Sequence, residues 1–469
     1  MSTFGGKLLE TSLDFIRIDD FQTRNFDGSA FFLSHFHSDH MRGLYSSEFI
    51  KLLVEDDNKM LYCSMFTKYM VLSKDRCCKI PMEKICAIEV NSTLVVQHNN
   101  RESVQVTAIP AGHCPGSVMF LFEQGKTCIL YTGDFRIHPN DVKKIKALHD
   151  RSGMVKKIDT LYLDTTFCHT KYLTFPSRNQ SLEDIVDLIA SWLNEDCLNE
   201  VGIRYNSYHG LEPILILISQ RIKERIWIAD ERSYANYAVI PELHDMLTSE
   251  KLSAKIHLCP VSSQGECQRC LRTGKFIKTI KPCAMSFNLQ QLQKSRVKED
   301  CNVVRVAYAT HCSLEELIKI VSYLKPENTY PCVVPNNTSH EQVLENLQLS
   351  VLKLQTDEKE NLLSCANESS DQESTSSSSW FQPTKMSYLS KLQTSNLSTT
   401  NSSDDSLSPI TPPAKRRCSS QVNEAVGCSS VQSQVQDLTI NETDSSDSIE
   451  VIEEPLSQGD TIEDDSPPL

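Results

Sequence analysis

Residues 31–44 read FFLSHFHSDHMRGL, so His35, His37, Asp39 and His40 crowd into six positions directly behind an apolar run. A strand alone sends successive side chains to opposite faces. A loop at the end of a strand can instead fold several ligand-type side chains toward one point. Two later fragments repeat the pattern. AGHCPGS puts His113 between a strand-like run and glycine turns, and YTGDFR puts Asp134 at the end of another apolar run. Imidazole and carboxylate suit zinc and similar divalent ions. A carboxylate such as Asp134 can bridge two ions, a pairing suited to phosphodiester hydrolysis.

The surrounding pattern is that of an α/β chain. Strand-like runs are expected at 30–34, 103–111, 117–123, 128–135 and 160–167, bounded by Gly, Asn, Pro and charged residues. Helical periodicity is expected at 181–195 and 313–326, each opening on Ser followed by Glu, a capping signature. All 13 histidines lie before residue 356. From Thr356 onward the chain is rich in serine and poor in aromatics, without periodicity, and is expected to be disordered.

Charge follows the same division. The chain's net charge of −14 matches the excess of 20 acidic over 6 basic residues from Thr356 onward, so residues 1–355 are neutral overall. A local basic groove for nucleic acid is therefore compatible with the composition. The start, MSTFGGKLLE, lacks the apolar segment of a secretory signal, so the 18 cysteines are expected to be free or metal-bound. The longest apolar stretch, PILILI at 213–218, is far short of the ~20 residues that span a bilayer, and no membrane partner is expected.

HFHSDH, the glycine-flanked His113 and the TG-Asp134 step together resemble the metallo-β-lactamase hydrolases. That resemblance implies an αββα sandwich with metals at the strand ends. It implies one ion on His35, His37, His113 and Asp134, and a second on Asp39, His40, Asp134 and a later histidine. LYLDTTF resembles the acidic motif that opens the β-CASP insertion, with Asp164 as its carboxylate. AYATHCSLEEL resembles the later histidine motif, with His311 as the last ligand. YPCVVP resembles the third β-CASP motif, where Val333 matches the DNA-directed members. The strings AGHCPGSVMFLF, LYTGDFR and YLDTTFC are similar to the DNA cross-link repair nucleases of this family.

The implied organisation is a metallo-β-lactamase part at 1–157, a β-CASP insertion at 158–310, a return at 311–355 and an acidic tail at 356–469. The implied activity is a 5′ exonuclease and hairpin or overhang endonuclease that processes double-strand breaks, and V(D)J intermediates, by non-homologous end joining. Asp39, His40, Asp134, Asp164 and His311 would carry the chemistry, with Asp164 orienting a ligand histidine. Zn²⁺ is the expected ion, with Mg²⁺ or Mn²⁺ as candidates for the second position. DNA ends, a DNA-dependent protein kinase and an end-joining ligase are the implied partners. Alternatives are a 5′ exonuclease of cross-link repair or telomere protection, an RNA-processing β-CASP nuclease, and a non-enzymatic scaffold.

Other candidates are more local. His257, Cys259, Cys267 and Cys270 could form a structural zinc site, with Trp227 at the position where the family has a histidine. Ser117 and Thr132 are candidate phosphate-binding hydroxyls. In the tail, Lys415, Arg416 and Arg417 resemble a nuclear-localisation signal, and nuclear residence is expected. Ser420, Ser433 and Ser457, each before Gln, resemble DNA-damage kinase sites. Ile449, Val451 and Ile452 between acidic flanks resemble a SUMO-interacting strand.

Overall fold

The computed structural model describes residues 2–73, 80–98, 102–205, 209–228, 231–250, 254–260, 276–336, 338–348 and 350–351. Three sheets organise them. The first is parallel: β1 (Ile16–Ile18), β2 (Ala30–Leu33), β3 (Met60–Ser64) and β4 (Ile85–Ile88), in that order. The second holds β5 (Thr93–Gln97), β6 (Ser103–Pro110), β7 (Val118–Gln124), β8 (Thr127–Tyr131) and β9 (Thr160–Leu163). The last strand among the described residues, Asn328–Pro331, pairs in parallel with β9 and closes its edge.

The layers follow from alternation along the strands. Phe120 and Phe122 of β7 face a core shared with Ile16, Ile18 and Phe32 of the first sheet. Met119 and Leu121, between and beside them, face an outer core with Leu314, Leu317 and Leu324. On β2, Ala30 and Phe32 point inward while Phe31 and Leu33 meet Phe49, Leu53 and Met70 of the outer helices. Both faces of these strands are therefore buried, which is why they read as apolar runs without polar alternation. Helix, sheet, sheet, helix is the resulting order of layers, the αββα sandwich of the metallo-β-lactamase fold.

The third sheet contains β10 (Glu200–Tyr205), β11 (Ile226–Ile228), β12 (Leu247–Thr248), β13 (Ile256–Pro260), β14 (Ile277–Pro282), β15 (Val297–Asp300) and β16 (Val303–Val306). Its order is β12-β11-β13-β10-β14-β16-β15, parallel except for β15. Helices Arg178–Glu195 and Glu212–Arg221 pack on it through Ile185, Ile189, Leu215 and Ile218. The chain thus leaves the sandwich after β9 and returns at the helix Leu314–Leu324, which fits a β-CASP insertion. The sequence reading began the insertion at 158, but β9 belongs to the second sheet, because its parallel pairing with β8 carries Asp164 beside Asp134.

The helix caps show one difference from expectation. The helix expected from Ser181 begins at Arg178, capped by a reciprocal Ser177–Gln180 box. Ser181 is buried and its hydroxyl donates to the Ala307 carbonyl instead. The second helix is capped as its sequence predicts, by Ser313 and Glu316.

Candidate metal centre

Five strands of the sandwich end at one place. β1 leads to Asp19, β2 to His35, β6 to His113, β8 to Asp134 and β9 to Asp164. β6, β8 and β9 run in the same direction in their sheet, and β1 and β2 in theirs, so all these residues lie beyond the carboxyl ends of strands. His311 comes from the return segment just before the capped helix Leu314–Leu324.

His35, His37, His113 and Asp134 form one group whose ligand atoms all lie within 4.8 Å of one another. His35 Nε2 is 3.0 Å from His37 Nδ1, and His113 Nε2 is 3.1 Å from the same atom. Asp134 Oδ2 is 3.6 Å from both His35 Nε2 and His113 Nε2.

The outward nitrogens identify the tautomers. His37 Nε2 faces the His209 carbonyl at 3.1 Å and His113 Nδ1 faces the Thr310 carbonyl at 3.0 Å. A carbonyl only accepts, so each of these nitrogens carries the proton. Ser34 Oγ donates to Asp19 Oδ2 and therefore accepts from His35 Nδ1. Three imidazole lone pairs and a carboxylate are then aimed at one another. Without a cation among them they repel. Four ligands held tetrahedrally about 2.0–2.1 Å from a zinc ion would stand about 3.4 Å apart, close to the spacing found. The donor set fits a divalent ion.

Burial reinforces the neutral state of these rings. It pushes His35 and His113 well below the ordinary imidazole range and His37 down to about 4. Burial also lowers His40, but the carboxylates of Asp134 and Asp19 outweigh it and hold that ring well above its usual value. His40 Nδ1 donates to Asp19 Oδ2 at 2.8 Å, so the extra proton lies on Nε2, 3.2 Å from Asp134 Oδ1 and 3.8 Å from Asp39 Oδ2. His40 Nε2 therefore stands where a second cation would bind. Burial raises Asp134, and the His40 and His311 rings overcome it, leaving the carboxylate ionised between the two positions.

Asp164 lies within reach of Asp134 and His311, yet its oxygens are already used. Oδ2 accepts from His311 Nδ1 at 2.8 Å and from the Phe135 N–H at 3.2 Å. Oδ1 accepts from the Thr166 N–H and hydroxyl. Such a carboxylate orients His311 through Nδ1, with Nε2 turned away from it, and is poorly placed to bind an ion itself. Burial lowers the His311 ring, but Asp164 and Asp134 outweigh it and hold the ring above its usual value.

Two hydroxyls singled out in the sequence are spent inside the fold. Ser117 Oγ accepts from the His113 and Cys114 N–H groups and donates to the Cys114 carbonyl. Thr132 Oγ1 donates to the Gly133 carbonyl and accepts from the Asp164 N–H. Neither is left to receive a phosphate. Burial, with the charges of Glu212 and Asp134, raises the Cys114 thiol well above its usual range, so it is no thiolate nucleophile. His257 and Cys259 are fully buried on β13, and Trp227 on β11 pairs in register with His257. Cys267 and Cys270 lie outside the described residues, as do Lys415, Arg416, Arg417, Ser420, Ser433, Ser457, Ile449, Val451 and Ile452.

Asp19 was not singled out by the sequence. It is 2% exposed, takes a left-handed φ of 56°, and accepts from the Ser34 N–H, Ser34 Oγ, His40 Nδ1 and the Tyr131 hydroxyl. It therefore orients His40 directly and His35 through Ser34. The available signal was slight: Asp19 directly follows the short strand Ile16–Ile18, whose central residue is Arg17.

A buried histidine–carboxylate cluster at the strand ends of an αββα sandwich with a β-CASP insertion defines a metallo-β-lactamase-type metal centre. A family model for DNA repair metallo-beta-lactamase proteins matches residues 241–337. The Gallus gallus protein artemis is 32% identical over 365 residues, 74% of this chain and 50% of that protein. The Homo sapiens protein artemis is 32% identical over 365 residues, 74% of this chain and 51% of its own length. The Homo sapiens DNA cross-link repair 1A protein is 28% identical over 331 residues, 67% of this chain and 29% of that protein. The chain spans about half the length of the artemis proteins it matches. These likenesses support an Artemis-like DNA repair metallo-beta-lactamase.

Proposed function

We propose that this chain is a metal-dependent DNA nuclease that hydrolyses phosphodiesters at DNA ends and leaves 5′-phosphates. The observation that carries this reading is the convergence of three imidazole lone pairs and Asp134 at 3.0–3.6 Å, each ring locked from outside by an acceptor. His35, His37, His113 and Asp134 would hold a first ion, for which Zn²⁺ suits the donors. Asp39, His40, Asp134 and His311 would hold a second, where Mg²⁺ or Mn²⁺ could serve. Bound divalent ions supply a water of lowered pKa and neutralise charge on the phosphate oxygens.

The protein's own part is orientation and access. Asp19 holds His40 and Asp164 holds His311. The side chains of His35, His40, His113 and Asp134 are at most 10% exposed, while Asp39 and His311 are 24% and 19% exposed. A phosphate would therefore approach over Asp39 and His311. This reading treats the chain up to the end of β9, together with 311–355, as the catalytic part, with the insertion expected from 158 beginning after β9 and running to 310.

The match to DNA repair metallo-beta-lactamase proteins and the cross-link repair relative support DNA as substrate. Val333, which favours DNA by resemblance, is held by Thr165 next to Asp164. The resemblance implies end joining, with a DNA-dependent protein kinase, a ligase complex and a nuclear setting. Cross-link repair is the second reading, favoured by the 28% identical relative.

The test incubates the full chain and an Asp39→Asn/His40→Ala variant with labelled single-stranded, hairpin and overhang DNA and a matched RNA. Zn²⁺, Mg²⁺ and Mn²⁺ are supplied separately. DNA cutting by the parent alone supports the reading, and hairpin opening selects end joining. Cutting of RNA alone moves the chain to RNA processing. No cutting with any ion leaves the scaffold reading in its place.

A further inference from the structure

His37 owes its tautomer to a main-chain group far away in sequence. Its Nε2 donates to the carbonyl of His209, in the segment leading into the helix Glu212–Arg221 of the third-sheet unit. Two contacts hold that carbonyl in place. Glu212 Oε2 accepts from the Gly210 N–H at 2.6 Å, and Glu212 Oε1 accepts from His209 Nδ1 at 3.0 Å. From the other side the Tyr308 hydroxyl donates to the Gly210 carbonyl at 3.1 Å. Gly210 has a φ of 117°, a backbone conformation that a side chain would strain.

Glu212 is an unusual residue to find here. It is 2% exposed, and among the described residues its only ion-pair partner is the equally buried His209. The start of a helix favours an anion, but a buried carboxylate with no Lys or Arg is disfavoured unless its oxygens are satisfied. Both oxygens are satisfied by the two residues that carry the His37 acceptor. The His209 ring also lies across the Phe36 ring at 6.0 Å and the Phe66 ring at 6.3 Å, so the segment is wedged against the metal-bearing lobe.

We propose that Glu212 and His209 are positioning residues for His37, so that ion binding at the first position depends on the inserted unit being docked. The second contact between the units has the same logic. The Thr310 carbonyl, two residues beyond Tyr308, takes the outward proton of His113. Two of the three imidazoles of the first position are thus set in their ligating tautomer by main-chain oxygens contributed from outside the sandwich strands. If those oxygens move away, His37 can shift its proton to Nδ1 and lose its lone pair toward the ion.

This inference rests on the reading that His37 is a ligand, and the test separates the two. Full-length protein is stripped with a chelator and titrated with Zn²⁺ against a chromogenic competitor, as wild type, Glu212→Gln, His209→Phe and His37→Ala. His209→Phe keeps a ring against Phe36 and Phe66 and removes the Nδ1 donor to Glu212. Metal-free melting curves are recorded for each. Glu212→Gln and His209→Phe are expected to bind Zn²⁺ about 10-fold more weakly or worse, with metal-free melting temperatures close to wild type. If His37→Ala also weakens binding while both positioning variants bind like wild type, the proposal is overturned. A loss of affinity matched by an equal loss of metal-free stability would mark a folding role and would also overturn it. Unchanged binding by His37→Ala would instead remove the ligand reading beneath it. Should one positioning variant fail to fold, the other decides.

Discussion

The Asp19 carboxylate accepts a 2.8 Å hydrogen bond from His40 Nδ1, and the same oxygen accepts from Ser34 Oγ, which in turn holds His35. One buried carboxylate therefore sets the orientation of a ring in each of the two candidate ion positions. Exchanging it for an amide would replace an acceptor-only group with one that also donates.

Asp19→Asn is expected to lower metal affinity or activity by about 10- to 100-fold. Metal content after dialysis against a weak chelator, with cleavage rates on single-stranded DNA, checks this. Retention of wild-type values in both would show that His35 and His40 are held by other means.

Asp164→Asn should act on one side of the site only. His311 loses its charged acceptor while His35, His37 and His113 keep theirs. Cleavage is expected to fall by about 10- to 100-fold while one tightly bound ion remains, measured by mass spectrometry of the native protein. Complete loss of metal would instead identify Asp164 as a direct ligand.

Acid should destabilise the metal-free protein before it protonates ordinary carboxylates. His37 is held down to about 4 from a usual 6.5, so between those values the unfolded chain binds a proton that the folded chain does not. Stability then rises with pH across that window and falls as pH drops through it, by about 2 to 3 kcal/mol for a partly exposed ring. His35 and His113 act in the same sense. His40 is raised and acts oppositely, with its contribution complete below pH 6.5 and lost as pH climbs through its folded value. Urea unfolding of chelated protein at pH 4.5 and 7 tests the sign, and equal midpoints would contradict it.

Ser117→Ala should weaken the fold without changing substrate grip. Two N–H groups lose their acceptor, at about 1–3 kcal/mol for a buried turn. The melting temperature is expected to fall while KM for DNA holds. The reverse pattern would restore this hydroxyl as a phosphate ligand.

Residues 35–40, 113, 134, 164 and 311 could be found in the sequence because each follows an apolar run or a turn signal within a few positions. Such local grammar survives into the structure, since a strand buried on both faces must be apolar and its chemistry must wait for its end. The Ser313–Glu316 cap was legible for the same reason. The internal bonds of the Ser181, Ser117 and Thr132 hydroxyls were not legible, because a hydroxyl's partners depend on which backbone groups come within hydrogen-bonding reach, and residue type says nothing of that.

The tautomers were beyond the sequence altogether. His37 and His113 are fixed by the carbonyls of His209 and Thr310, which are 172 and 197 residues distant. Every residue has a carbonyl, so no residue type announces this role. The sequence by itself determined which side chains could bind a metal and which strands would carry them. Only the tertiary structure decided which nitrogen of each ring faces the ion, because that choice belongs to the acceptor behind the ring.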